Sequence, residues 1–237
     1  MDPRFGVIVV AGGSSRRMEG LDKQTLLLEN MPVLARSIRP FGLLEEVGEI
    51  VVVCRQDQIS TVEDYVSRYE LQKVSRIVPG GESRPASVRE GLRAFSQSWD
   101  WLLIHDGARP FASRELIRRC MADAWRYGAA TAAIPARDTV KVSDGGGFIQ
   151  STPPRSLLYQ VQTPQLFRWD WYQEALAQAQ EGDTDDCQLL ERAGRKVYLS
   201  RGSSWNMKIT TPEDLPAARA LARALDEEEG YANWSRL

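Results

Sequence analysis

Five short segments, most of them apolar runs, constrain this chain more than any other feature. Phe5 to Ala11, "EIVVVCR" (49–55), "KVSRIVPGG" (73–81), "DWLLIHD" (100–106) and "AATAAIPA" (129–136) have strand length. Between them lie stretches with apolar residues at helical spacing: 32–41, 58–69, 86–98 and 113–128. A strand that is apolar at nearly every position has both faces covered, which is the pattern of a parallel strand under helices. The alternation predicts an α/β fold, with a Rossmann-like, mostly parallel sheet flanked by helices. In the last of these helices Ser113 is the expected N-cap and Gly128 the stop.

Residues 138–160 break this rhythm. A glycine-rich turn there separates two short alternating segments, so a protruding β-hairpin arm is expected. Beyond it the spacing predicts a helix over 168–180 and a second over 184–194, with Thr184 as N-cap and Gly194 as stop. A strand is expected over 196–200. A C-terminal helix is expected over 211–229, its early turns disturbed by Pro216. No repeat or low-complexity linker divides the chain, so residues 1–237 read as a single domain carrying the arm.

Composition narrows the function classes. A net charge of −2 gives no electrostatic case for a nucleic-acid or membrane binder, so local basic clusters are left to serve a small anionic ligand. The three cysteines are far apart and form no CxxC pair, which points away from zinc ribbons and disulfide frameworks and toward a reducing cytoplasm. Met1 to Phe5 lead straight into a strand without a signal-peptide pattern, and no apolar run approaches the ~18 residues of a membrane span. With His105 the only histidine, mechanisms that need two are excluded.

Ligands of open parallel sheets sit beyond the carboxyl ends of the strands. Those ends carry Gly12-Gly13, Gly80-Gly81 and His105-Asp106, and the loops beside them carry Arg16, Arg17, Lys23, Arg84 and Arg109. Glycine backbone for close approach, cationic side chains and one strand-end carboxylate together suit a polyphosphate with a divalent cation. The first loop, "VVAGGSSRRMEGLDK" (9–23), lacks both the GxxxxGK[ST] of a P-loop and the GxGxxG of a dinucleotide site. Taken alone it is equally a βα turn with surface arginines. Asp106 in "IHDGARPF" (104–111) is a candidate Mg²⁺ ligand or simply the partner of Arg109, and His105 reads as a packed strand-end residue. "PGGESRPASV" (79–88) is either a plain glycine turn with a helix cap or a segment whose Gly80 to Glu82 backbone and Ser87 hydroxyl read a base edge. Lys208 in "NMKIT" (206–210) is placed to reach a phosphate.

With these residues in view, the chain resembles the 2-C-methyl-D-erythritol 4-phosphate cytidylyltransferases, of the nucleotide-diphosphosugar-transferase-like superfamily. The resemblance runs from Gly6 to about Leu221, through "AGGSSRRM…DKQ", "GGESRPASV", "IHDGARPF", "RDTVK", "TPPRSLLYQVQTPQLF", "TDDCQLLE" and "NMKITTPEDL". It implies a reaction between CTP and an alditol phosphate, 2-C-methyl-D-erythritol 4-phosphate, with Mg²⁺ or another divalent cation. It further implies that Arg17, Lys23 and Lys208 are catalytic. Ala11, Gly12, Gly13, Ser14, Ser15, Gly80, Gly81, Glu82, Arg84 and Ser87 are then the nucleotide-binding set. Asp106 is implied as the metal ligand, and Arg109, Thr139, Arg155, Thr163 and Lys208 as the set around the alditol phosphate. In the family the arm interlocks with a second subunit, which implies a homodimer in which Thr139 and Arg155 act across the interface. The sequence departs from the family pattern at Ser15, Asp22, Pro85 and Gly107. Its GG-x-S-x-R-M…DK loop also resembles the molybdenum-cofactor guanylyltransferases, and ribitol-5-phosphate cytidylyltransferases share the loop, the HD-x-ARP stretch and the arm. A non-catalytic nucleotide-binding scaffold is the reading from a different class.

Overall fold

The computed structural model describes residues 4–13, 22, 24–180, 183 and 185–228. Of the residues singled out above, Ser14, Ser15, Arg16, Arg17, Lys23 and Thr184 lie outside the described residues.

The chain opens with β1 (Phe5–Val10), the small pair β2 (Leu27–Leu28) and β3 (Met31–Pro32), and α1 (Val33–Gly42). Then come β4 (Val47–Cys54), α2 (Ile59–Arg68), β5 (Val74–Pro79), α3 (Arg84–Ala94), β6 (Trp101–Asp106), α4 (Arg114–Tyr127) and β7 (Ala129–Pro135). The small pair β8 (Val142–Ser143) and β9 (Ile149–Ser151) precedes β10 (Tyr159–Arg168), α5 (Trp169–Leu176), α6 (Asp186–Arg192), β11 (Tyr198–Arg201) and α7 (Asp214–Glu228).

Seven strands form the central sheet in the order β11-β7-β10-β6-β1-β4-β5. All neighbours are parallel except β10, which runs antiparallel to both β6 and β7. The continuous apolar runs are explained by which way their residues point. Val7, Val9, Ile50, Val52 and Leu103 enter one core cluster with α1 and α4, while Ile8, Val51, Val53, Leu102 and Ile104 enter another with α3 and α5. A third cluster seats α7, through Leu215, Ala218 and Ala222, on Leu28, Val33 and Phe111. Arg36 ties α1 to the far end of α7 by a bidentate pair with Asp226, at 2.8 and 2.9 Å.

Several boundaries differ from the sequence expectation for identifiable reasons. The helix expected over 86–98 is α3, which starts two residues earlier because Ser83 caps it by accepting from Ala86 N–H, with Pro85 in its first turn. It ends at Ala94. Phe95 is extended, and the buried Glu49 carboxylate accepts from Ser96 N–H and its hydroxyl and from Trp99 Nε1–H. The helix of 184–194 begins at Asp186 with Asp185 at the N-cap position, and Gly194 closes it at φ +73°. Pro216 does not disturb α7. It falls in the first turn, where its missing N–H has no intrahelical partner to lose.

The largest departure is β10. The sequence pattern does not predict a strand over 159–168, because Gln162, Thr163 and Gln165 are polar and Pro164 lies among them. These three polar side chains are nonetheless buried, and the pairing with β7 shifts register between Val161 and Gln165, where proline is tolerated. The hairpin is present as β8 and β9, exposed over 137–152, but its return leg joins the main sheet from Tyr159 onward.

Ser113 caps α4 by accepting from Leu116 N–H, and Gly128 closes it in the left-handed region at φ +89°. A Cβ at Gly128 would meet the Trp171 ring. Gly128→Ala is therefore expected to destabilise the fold by about 2 kcal/mol or more, read as a lower urea midpoint by circular dichroism. An unchanged midpoint would mean that Trp171 moves aside freely.

Candidate active site

The chain crosses from one side of β1 to the other on entering β6, and a sheet opens a crevice at such a switch. Val10 stands opposite Asp106 in the β1–β6 register, and Gly107 N–H donates to Val10 C=O at 2.9 Å. The loop after β1 and the acid at the end of β6 therefore leave the sheet side by side.

The glycine loops meet next to them. Ala11 N–H donates to Val53 C=O, and Gly80 N–H to Cys54 C=O, so the backbones after β1 and β5 are pinned to the end of β4. A Cβ on Gly80 would lie 2.9 Å from Ser87 Oγ, and one on Gly81 2.5 Å from Ala86 Cβ. Gly81 is thus required by close approach to the first turn of α3, and a Cβ on Gly80 would turn the Ser87 hydroxyl aside. The Ser87 hydroxyl donates to Gly81 C=O at 3.3 Å and braces this turn, while Gly81, Glu82 and Gly13 are exposed. Asp22, one of the departures from the family pattern, accepts from Arg55 Nη2 at 2.9 Å and from Gln58 Nε2. Its carboxylate fastens the end of the first loop to the segment after β4.

Asp106 is the centre of the site. It is buried, and three cations close on it: Arg84 Nη1 at 2.8 Å on Oδ1, with Lys208 Nζ at 2.9 Å and Arg109 Nε at 3.3 Å on Oδ2. Burial alone would raise its pKa, but Arg84, Lys208 and Arg109 hold it well below the usual carboxylate range. Burial also works against the charge on Arg84, and Asp186 and Asp106 more than offset it, so its pKa is raised. The Arg109 pKa is lowered chiefly by burial, with Asp106 opposing. Asp106 is therefore ionised at neutral pH and is not a proton donor.

Thr163 and His105 fix the backbone beneath this cluster. Asp106 N–H donates to the Thr163 hydroxyl at 3.0 Å, and that hydroxyl lies 3.0 Å from His105 Nδ1. His105 Nε2 lies 3.1 Å from the carbonyl oxygen of Arg109, which can only accept. The ring proton is accordingly on Nε2, and Nδ1 accepts from Thr163. Burial first, against the bond to Arg109 C=O, pushes the His105 pKa down to about 4, so the ring is neutral. His105 packs as expected. Thr163 is buried with its hydroxyl engaged inside the protein, so it shapes the site from below.

Sequence reasoning assigned no role to several residues here. Asp186 accepts from Arg84 Nε at 2.8 Å and from the Tyr172 hydroxyl at 2.6 Å. Asn206 accepts from Arg109 Nη1 through its carbonyl and donates through Nδ2 to Thr163 C=O, and Gln162 Nε2 bonds Ser203 C=O. The signal that was present is the second acid of "TDD" opening a helix, and the asparagine two positions before Lys208. Thr139 and Arg155 stand elsewhere, on the exposed hairpin segment, where Arg155 Nη1 donates to Arg137 C=O.

Among the described residues, no group of three or more His, Cys, Asp or Glu side chains could hold a metal ion. The single Asp106 carboxylate is of the type Mg²⁺ takes, which binds through one or two carboxylates plus substrate phosphates. A separate cleft of about 710 Å³, lined by Trp99, Trp101, Trp125, Trp169 and Trp171, lies beyond the start of β6, at the opposite end of that strand from Asp106. It contains none of the strand-end cations.

The family model for 2-C-methyl-D-erythritol 4-phosphate cytidylyltransferase matches residues 5–224. The chain belongs to this family. A relative of that name from Clostridium botulinum (strain 657 / Type Ba4) is 42% identical over 213 residues, covering 88% of this chain and 93% of its own. Another, from Dehalococcoides mccartyi (strain CBDB1), is 40% identical over 223 residues, covering 94% and 98%. Among solved structures, the 4-diphosphocytidyl-2C-methyl-D-erythritol synthase of Anaerococcus prevotii DSM 20548 superposes with a TM-score of 0.83 at 31% identity, over 94% of this chain and 100% of that one. The 2-C-methyl-D-erythritol 4-phosphate cytidylyltransferase of Thermus thermophilus gives 0.74 at 31% identity, over 94% and 100%. The α/β architecture built above is thus shared with structures of this family.

His105 gives the site a pH dependence of known sign. Its pKa is about 4 folded against 6.5 unperturbed, so the unfolded chain binds the extra proton between those values. Stability from this group is complete above about pH 6.5 and is lost as the pH falls toward 4, by up to about 3 kcal/mol. Thermal unfolding of the wild type across this range should show that loss, and His105→Gln should flatten it. Equal slopes would remove His105 from the account.

Proposed function

We propose that the crevice at the β1–β6 switch is where the chain transfers a cytidylyl group from CTP to 2-C-methyl-D-erythritol 4-phosphate. The products are 4-diphosphocytidyl-2-C-methyl-D-erythritol and pyrophosphate. The observation that carries this reading is the family match over 5–224 combined with the Arg84–Asp106–Arg109–Lys208 cluster at that switch.

In this reaction a phosphate oxygen of the alditol phosphate attacks the α-phosphorus of CTP in line. The new O–P bond forms as the bond to the bridging oxygen breaks, and pyrophosphate leaves with that electron pair. The attacking phosphate is already an anion, so no general base is required. This agrees with a neutral, buried His105 and a fully ionised Asp106. The chain's task is to position the reactants and to stabilise the charge of the crowded phosphorus.

The glycine backbone at Gly12, Gly13, Gly80 and Gly81 lets the nucleotide approach closely, and the exposed Gly81-Glu82 turn braced by Ser87 reads the base. Arg17 and Lys23 hold the triphosphate and meet the charge that develops on the α-phosphorus. Lys208 and Arg109 face the alditol phosphate from the other side of Asp106. A divalent cation held by Asp106 and phosphate oxygens would supply further charge neutralisation on the triphosphate. Thr139 and Arg155 serve the site of a second subunit, the pair being locked through the hairpin. Val140, Val142, Phe148 and Ile149 are exposed apolar side chains there, which supports burial against a second copy. No helix among the described residues is long and apolar enough to cross a membrane.

Pyrophosphate release from CTP tests the reading. 2-C-methyl-D-erythritol 4-phosphate should be turned over in preference to ribitol 5-phosphate, and CTP in preference to GTP. Either reversed preference, or CTP binding without turnover, would overturn it. Lys23→Ala should lower kcat by about two decades or more, the scale of losing a transition-state charge contact, without altering thermal stability. Wild-type kcat in that variant would remove Lys23 from this role.

A further inference from the structure

Arg84 is held from behind as well as from in front. Its Nε donates to Asp186 Oδ2 at 2.8 Å, its Nη2 lies 2.7 Å from the same oxygen, and only Nη1 turns toward Asp106. Asp186 is fixed in turn by the Tyr172 hydroxyl on its other oxygen, at 2.6 Å. Accessibility rises along this chain: Tyr172 is 0% exposed, Asp186 1% and the Arg84 side chain 20%. A ligand in the crevice can reach the guanidinium but not the two groups that anchor it.

The placement of Arg84 needs a reason beyond stability. It is the first residue of α3, whose first turn holds no acidic residue, and the N-terminus of a helix favours anions over cations. A buried ion pair is also weak evidence of net stabilisation, because desolvating both charges offsets their attraction. What Asp186 does supply is orientation. By engaging one edge of a planar fork it fixes the plane of the guanidinium and leaves a hydrogen on each Nη free for a further acceptor. Tyr172, its own pKa raised by burial and by Asp186, is a neutral donor at the end of the chain.

We propose that Asp186, oriented by Tyr172, is a positioning residue for nucleotide binding, holding Arg84 so that its remaining Nη hydrogens meet a phosphate of CTP. This rests on the crevice being the CTP site. Without Asp186 the long Arg84 side chain must be ordered anew each time the nucleotide binds, which weakens binding without altering the reacting centre.

The test is steady-state pyrophosphate release with both substrates varied. Asp186→Asn should raise the KM for CTP about tenfold, leaving kcat within about threefold and the KM for the alditol phosphate unchanged. Tyr172→Phe, which keeps the ring and removes one hydrogen bond, should raise the KM for CTP in the same direction by about threefold and covers the case in which Asp186→Asn does not fold. Arg84→Lys keeps the charge and loses the fork, and adding Asp186→Asn to it should produce no further rise. The proposal is overturned if Tyr172→Phe leaves the KM for CTP unchanged. It is also overturned if Asp186→Asn moves kcat and both KM values together, as a structural defect would, or if its effect adds fully to that of Arg84→Lys. Absence of CTP turnover by the wild type would instead overturn the functional reading on which the proposal stands.

Discussion

A carboxylate taken out of water needs compensating charge, and Asp106 obtains it from parts of the chain that meet only in the folded state. Arg84 opens α3, Arg109 lies in the loop after β6, and Lys208 comes from the segment leading to α7. Each cation is brought by a different connection, so the cluster cannot assemble unless the sheet order and the packing of α7 are both in place. The same arrangement fixes three basic groups in one small volume, where Asp106 offsets part of the repulsion that Arg84 exerts on Arg109. A polyanion entering the crevice then meets cations that are already ordered, which lowers the entropic cost of binding.

The neighbouring glycine loops depend on a different constraint, the absence of side chains. Gly81 sits so close to Ala86 that a Cβ would push the turn away from α3, and one on Gly80 would displace the Ser87 hydroxyl that braces it. Charge-bearing and backbone-bearing halves of the crevice therefore come from separate strand ends, joined through β1 and β4.

Much of this was legible in the sequence because parallel strands buried on both faces are written as unbroken apolar runs. Gly12, Gly13, Asp106 and Arg109 could be placed at one edge by following those runs to their ends, Gly80, Gly81 and Arg84 by following the half-exposed edge strand β5, and Lys208 by its place after a late strand. What was not legible shares one cause: polar residues whose burial is made possible by long-range partners. Gln162, Thr163 and Gln165 hide a ten-residue strand, since their bonds go to Asn206, His105, Asp106 and Asp185. In sequence Asp186 is one more acid at a helix start, and the residue that gives it meaning, Arg84, lies 102 positions away. Helices end short of their apolar spacing where a distant side chain intervenes, as Glu49 does after Ala94.

β10 also makes two distant parts of the molecule into one piece. Its first residues leave the exposed hairpin, its middle carries Thr163 beneath Asp106, and its end pairs with the start of β6. At about 3.3 Å per residue, the strand is a strut some 33 Å long. Sliding it by a single position would exchange inward for outward side chains and pull the hydroxyl off the Asp106 backbone. The exposed hairpin side and the floor of the crevice are therefore built on one continuous stretch of backbone.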